Sequence, residues 1–122
     1  MLKDNHVSLA GSMTRAIERV RAIRDFTTKI EVECGNRPDA ITALDMGVDI
    51  IMLDNLSPPE LELLSQELRE RDPGRRTLIE ASGGLAVDNV TDYALPSVDI
   101  ISMSCLVQGY PAVDFSMNVE PQ

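Results

Sequence analysis

Aromatic residues are scarce: the 122 residues include no tryptophan, and the rings are Phe26, Tyr93, Tyr110 and Phe115. No row of rings is available on which bases could stack. Basic residues are also few, 11 Lys and Arg against 20 Asp and Glu, and the formal net charge of -9 repels a polyanion over most of the surface. Nucleic acid is therefore not an expected partner, although a local phosphate site remains compatible with this balance. Cysteine is limited to Cys34 and Cys105, far apart and outside any CxxC or Cys/His cluster. That pattern argues against a thiolate metal site and predicts reduced thiols in a reducing cytoplasm. Long apolar runs are missing: the run at residues 50–53 is strand-sized, and no charged-then-apolar leader follows Met1. The expectation is a non-secreted chain with no membrane partner.

At 43% hydrophobic, the chain can bury the core of one domain. Met13, Ala16, Ile17, Val20 and Ile23 recur at helical spacing, which predicts an amphipathic helix over residues 12–26. Its four arginines, Arg15, Arg19, Arg21 and Arg24, read as a solvated face or a subunit contact. Residues 29–34 alternate, with Ile30, Val32 and Cys34 on one side and Lys29, Glu31 and Glu33 on the other, and so predict a strand. Asn36 and Pro38 open a short helix that Gly47 can close in a left-handed conformation. A strand over 48–54 follows. Ser57-Pro58-Pro59-Glu60 then joins a capping box to an N-terminal proline, ahead of Leu61, Leu64 and Leu68, and Asp72-Pro73-Gly74 ends that helix. A strand over 77–81, a short helix over 87–94 and a strand over 98–103 complete the pattern, with Gly109, Pro111 and Pro121 punctuating an irregular tail. A strand remnant at Leu2 precedes all of these.

Strands alternating with helices imply parallel pairing through right-handed crossovers, in an α/β barrel or a doubly wound sheet. No sequence repeat of 20 to 50 residues is evident. Polar residues collect where the strands end: Lys3 after Leu2, then Glu33, Asp54, Ser82 before Gly83-Gly84, and Ser102 with Ser104. In a barrel those ends open on one face, where active sites lie, and inward-facing acids there call for a compensating cation. Taken singly, Glu33 or Asp54 reads as a solvated strand end or a helix cap, and Ser82-Gly83-Gly84 as a tight turn. His6 reads as a loop imidazole. Recurrence at one structural position favours a site.

KDNH at residues 3–6 followed by AGS, then IEVEC, IIMLDN, EASGG, VDIISM and a closing PAVDFSM, stand in the order and near the spacing of one family. From Leu2 to about Met117 the chain resembles quinolinate phosphoribosyltransferase, also called nicotinate-nucleotide pyrophosphorylase. The resemblance implies an open, incomplete parallel α/β barrel, with residues 1–122 as the C-terminal part of the barrel domain. It also implies that an N-terminal sandwich domain and the first barrel strands are absent from this sequence, which then reads as a fragment inactive alone. The implied reaction joins quinolinate and phosphoribosyl pyrophosphate to give nicotinate mononucleotide, pyrophosphate and carbon dioxide, with Mg2+ on the pyrophosphate, in NAD biosynthesis. Full-length members form homo-oligomers, dimers or hexamers.

The resemblance carries Lys3, Glu33 and Asp54 over as catalytic residues, with Glu33 and Asp54 also as Mg2+ contacts, direct or through water. Ser82, Gly83, Gly84 and Ser104 carry over as substrate-binding residues. Ser104 departs from the family pattern, which usually has glycine there, and its side chain is expected to crowd the phosphate. The alternative is a truncated paralogue that binds a phosphosugar or pairs with full-length subunits.

Overall fold

The computed structural model describes residues 1–109, 113 and 115–119. Four strands, β1 (Glu31–Cys34), β2 (Ile50–Asp54), β3 (Leu78–Ser82) and β4 (Ile100–Ile101), form one parallel sheet in the order β1-β2-β3-β4. Six helices are interspersed: α1 (Asp4–Ala10), α2 (Met13–Ile23), α3 (Arg37–Asp45), α4 (Pro58–Arg71), α5 (Val90–Tyr93) and α6 (Cys105–Gln108). Leu2 adds a single parallel bridge to Val32 on the outer side of β1. A doubly wound sheet would reverse its strand order part-way; this one runs sequentially, as neighbouring staves of a barrel do.

The register aligns Val32 with Ile51 and Ile79, and Cys34 with Leu53 and Ala81. All six are at most 1% exposed, and they pack against Met13, Ala16 and Ile17 of α2, Ala40 and Ala43 of α3, and Leu61, Leu64 and Leu68 of α4. The helices therefore cover one face. Glu31, Glu33, Ile50, Met52, Leu78 and Glu80 occupy the other, as the alternation in 29–34 predicts.

Local signals explain most element boundaries. Asn36 caps α3 by accepting the Asp39 N–H at 3.0 Å, Ser57 and Glu60 form the expected capping box of α4, and Gly47 closes the α3 turn at φ 64°. The predicted 12–26 helix stops at Ile23, because Arg24 turns extended; Phe26 is left fully exposed. Arg24 instead pairs with Asp49 at 3.0 Å, and Arg21 donates to the Met46 and Gly47 carbonyls, so two of the four arginines tie α2 to the turn before β2. The 87–94 helix shrinks to Val90–Tyr93, since Asn89 turns back to brace the preceding loop.

His6, expected as a loop imidazole, lies instead in α1, which begins at Asp4 directly after the Leu2 bridge, and its Nδ1 accepts the Lys3 N–H at 3.0 Å. Helix α6 follows Ser104 where the sequence predicts irregular chain. Pro111, Ala112 and Asp114 of the PAVDFSM motif, and Pro121, lie outside the described residues.

Candidate functional site

The parallel register brings residues from five segments to the carboxyl ends of the strands. Leu2 bridges Val32, so Lys3 stands beside Glu33; Glu33 aligns with Met52 and Glu80, and Asp54 with Ser82. Lys3, Glu33, Met52, Asp54 and Ser82 line a cavity of about 420 Å3 together with Gly83, Gly84, Ser102, Met103 and Ser104. All seven site residues expected from the sequence, Lys3, Glu33, Asp54, Ser82, Gly83, Gly84 and Ser104, thus share one space. Cavities of about 560 Å3 at the amino ends of β2 and β3, and about 580 Å3 between α3 and α4, are larger. The first is walled by charges already paired, such as Asp49 with Arg24 and Asp72 with Arg76, and the second by leucines and the Arg37–Glu67 pair. Neither gathers groups aimed at a ligand.

Charge in the strand-end cavity is predominantly negative. Lys3 Nζ donates to Glu33 Oε2 at 2.7 Å, and this bond holds the ammonium pKa above its ordinary value despite partial burial. Lys3 is the one basic side chain among the described lining residues. Burial, and then the Glu33 charge, push the Asp54 carboxyl up; a hydrogen bond from Asn55 Nδ2 at 2.5 Å pulls the other way. Deeper along the same face Glu80, only 6% exposed, accepts a hydrogen bond from the Ser102 hydroxyl. Glu31 is likewise pushed up by burial and by Glu80. A cationic or metal-bound ligand relieves this excess.

The glycine turn forms the opposite wall. Gly83 and Gly84 adopt φ 93° and 65°, and a Cβ on Gly83 would lie 2.5 Å from the Asn55 backbone nitrogen. Only glycine fits that approach. Among the described residues nothing accepts the N–H groups of Gly83, Gly84 or Leu85. Asn89 holds the turn open by donating to the Gly84 carbonyl at 3.1 Å and accepting the Ala86 N–H at 2.8 Å. Three N–H groups with no acceptor among the described residues, in a turn with two left-handed glycines, suit an anion. Ser104, exposed, precedes the first turn of α6 across the cavity.

No cluster of three metal-ligating side chains exists among the described residues. Glu33 and Asp54 alone do not cage a metal. They do fit Mg2+ arriving on phosphates, which takes one or two carboxylates and keeps several waters. The sequence pattern alone gives no role to Asn55, Asn89 or Glu80. The left-handed tolerance of asparagine after a strand, and the EAS parity that sets Glu80 beside Ser82, were the available signals.

Comparison with known proteins then decides the family. The family model for the quinolinate phosphoribosyl transferase C-terminal domain matches residues 1–118. The chain belongs to the quinolinate phosphoribosyltransferase family. Among curated relatives, the nicotinate-nucleotide pyrophosphorylase (carboxylating) of Dictyostelium discoideum is 43% identical over 122 residues, covering 100% of this chain and 40% of that protein. The human protein of the same name is 41% identical over 119 residues, 98% of this chain and 39% of that one. The solved NadC from Streptococcus pyogenes superposes with a TM-score of 0.80 at 34% identity, over 98% of this chain and 40% of its own. The chain thus spans about 40% of the length of these quinolinate phosphoribosyltransferase relatives. The α/β fold with a parallel sheet agrees with these neighbours.

Proposed function

We propose that the chain is the C-terminal barrel part of a quinolinate phosphoribosyltransferase and carries the half of its site that handles phosphoribosyl pyrophosphate. The whole enzyme would transfer the phosphoribosyl group to quinolinate with decarboxylation, giving nicotinate mononucleotide, pyrophosphate and carbon dioxide. One observation carries this reading: Lys3, Glu33, Asp54 and the Ser82–Gly84 turn, drawn from distant points of the sequence, line a single strand-end cavity.

The chemistry suits those groups. When the bond from ribosyl C1′ to pyrophosphate breaks, the electron pair leaves on the phosphate oxygen and positive charge develops on the sugar. Glu33 and Asp54, crowded and short of cations, stabilise that charge more than they stabilise the neutral sugar. Their oxygens also accept from ribose hydroxyls. Lys3, kept protonated by Glu33, offsets the charge of the departing phosphate. The free N–H groups of residues 83–85 suit the 5′-phosphate. Mg2+, when bound, would be held by Glu33 and Asp54, directly or through water, and would neutralise the pyrophosphate.

The test is calorimetric titration of the chain with Mg2+ and phosphoribosyl pyrophosphate. Binding is expected in the wild type, weakened roughly tenfold or more by Asp54→Ala, as for loss of a charge-assisted hydrogen bond. A chain that shows no binding overturns the reading. Quinolinate carries two carboxylates, and Lys3 is the one cation among the described lining residues, so turnover requires cations from outside this chain. Formation of nicotinate mononucleotide by the chain alone would refute that requirement. The same shortage favours a second reading, a phosphosugar-binding paralogue that pairs with full-length subunits; co-assembly or an altered rate on mixing with full-length enzyme distinguishes it. Two free thiols, Cys34 and Cys105, suit a cytoplasmic setting, and among the described residues no helix is long and apolar enough to cross a membrane.

A further inference from the structure

Asp54 ends β2, and the glycine turn follows β3. Parallel pairing fixes the two backbones but not a side chain of one against the turn of the other. Asn55 supplies that link. Its φ of 57° lies in the left-handed region, which asparagine adopts more readily than other non-glycine residues, and it stands between the two halves of the site. The Asn55 N–H donates to the Ser82 carbonyl at 3.0 Å, and its Nδ2 donates to Asp54 Oδ2 at 2.5 Å. The same residue fills the space that a Cβ on Gly83 would need.

We propose that Asn55 is a positioning residue that locks the Asp54 carboxylate to the Ser82–Gly83 turn, so that both grip one phosphorylated sugar. The inference rests on the phosphoribosyl reading above and adds the residue that sets the spacing. A ribose 5-phosphate has its hydroxyls and its phosphate at a separation that varies little. A carboxylate and an anion turn held at matching separation bind it without first having to be ordered, whereas inorganic phosphate occupies the turn alone and gains nothing from the carboxylate.

The experiment titrates the 122-residue chain with ribose 5-phosphate and with inorganic phosphate, in the wild type, Asn55→Gly, Asp54→Asn and the double variant. Glycine keeps the positive φ, so Asn55→Gly retains the fold. Asn55→Asp, which tolerates the same conformation and loses the donor, serves as a second probe. The wild type is expected to prefer ribose 5-phosphate. Asn55→Gly and Asn55→Asp should each lose about tenfold of that preference, the size of one hydrogen bond to a charged group. The double variant should lose no more than Asp54→Asn alone, because Asn55 acts through Asp54. Additive losses, an unchanged preference, or an equal fall for both ligands, the mark of a merely structural role, would overturn the inference. A wild type that binds neither ligand would instead remove the phosphoribosyl reading, and this inference with it.

Discussion

Gly83 is the residue where sequence and site are most tightly bound, because its missing side chain is occupied by Asn55. Gly83→Ala forces a Cβ within 2.5 Å of a backbone nitrogen at a φ of 93° that alanine resists. The expected outcome is a loss of about 1–3 kcal/mol in urea unfolding together with loss of ribose 5-phosphate binding. Glu31 gives a second residue-level prediction. Burial and Glu80 raise its folded pKa above the ordinary 4.5, so its contribution favours the fold below that value and is lost as pH rises through the folded pKa. Glu31→Gln should therefore raise the melting temperature at pH 7 and leave it nearly unchanged at pH 4. A gain of equal size at both values would contradict the sign. Strand parity made Glu31, Glu33 and Asp54 legible as inward acids before any fold was known. Asn55 was not legible, because its role depends on Gly83, 28 positions later, meeting it in space.

At the scale of elements, the sequence VDII occurs at residues 48–51 and again at 98–101, a short echo of the architecture rather than a long repeat. In both copies the aspartate does the same work. Asp49 Oδ2 accepts the Ile30 N–H at 2.7 Å and pairs with Arg24, and Asp99 Oδ2 accepts the Ile79 N–H at 2.8 Å and pairs with Arg69. Each ties the start of one strand to the strand before it and to a helix end. Arg69 is only 11% exposed at its side chain and also donates to the Ser97 and Thr77 carbonyls, so removing its partner strands a nearly buried charge. Asp99→Ala is expected to cost about 2–4 kcal/mol in equilibrium unfolding, clearly more than Arg37→Ala at the solvent-exposed Arg37–Glu67 pair. Comparable losses would rule out this ranking. Elements announced by capping chemistry, α3 and α4, were readable from sequence. Helix α1 was not, because KDNHVSLA lacks an Asn, Ser or Thr cap; its start is held by His6 reaching back to Lys3, and by Asn5 holding Met117 O and Val119 N at 2.9 and 2.7 Å.

On the scale of the whole molecule, the sheet has one well-filled face and one that carries Glu31, Glu33, Met52 and Glu80. Its edges differ too: β1 is bordered only by the Leu2 bridge, and β4 has no neighbour on its outer side among the described strands. Unpaired edges template association with further strands. Leu106 and Val107 of α6, with Val113, Phe115 and Met117, add exposed apolar surface. A net charge of -9 opposes that tendency through mutual repulsion, which salt screens within about 8–10 Å at moderate ionic strength. The balance predicts self-association that strengthens with added salt, since apolar and edge contacts persist while the repulsion fades. Sedimentation velocity of the 122-residue chain at low and at about 0.5 M salt reads this directly, as a rise in weight-average mass with both concentration and salt. A variant with Val107→Lys and Phe115→Lys should shift back toward monomer by removing apolar area and leave the strand-end cavity, which neither residue lines, able to bind ligand. A wild-type chain that stays monomeric at both salt levels would mean that the open edges are too short, β4 at two residues above all, to recruit another chain.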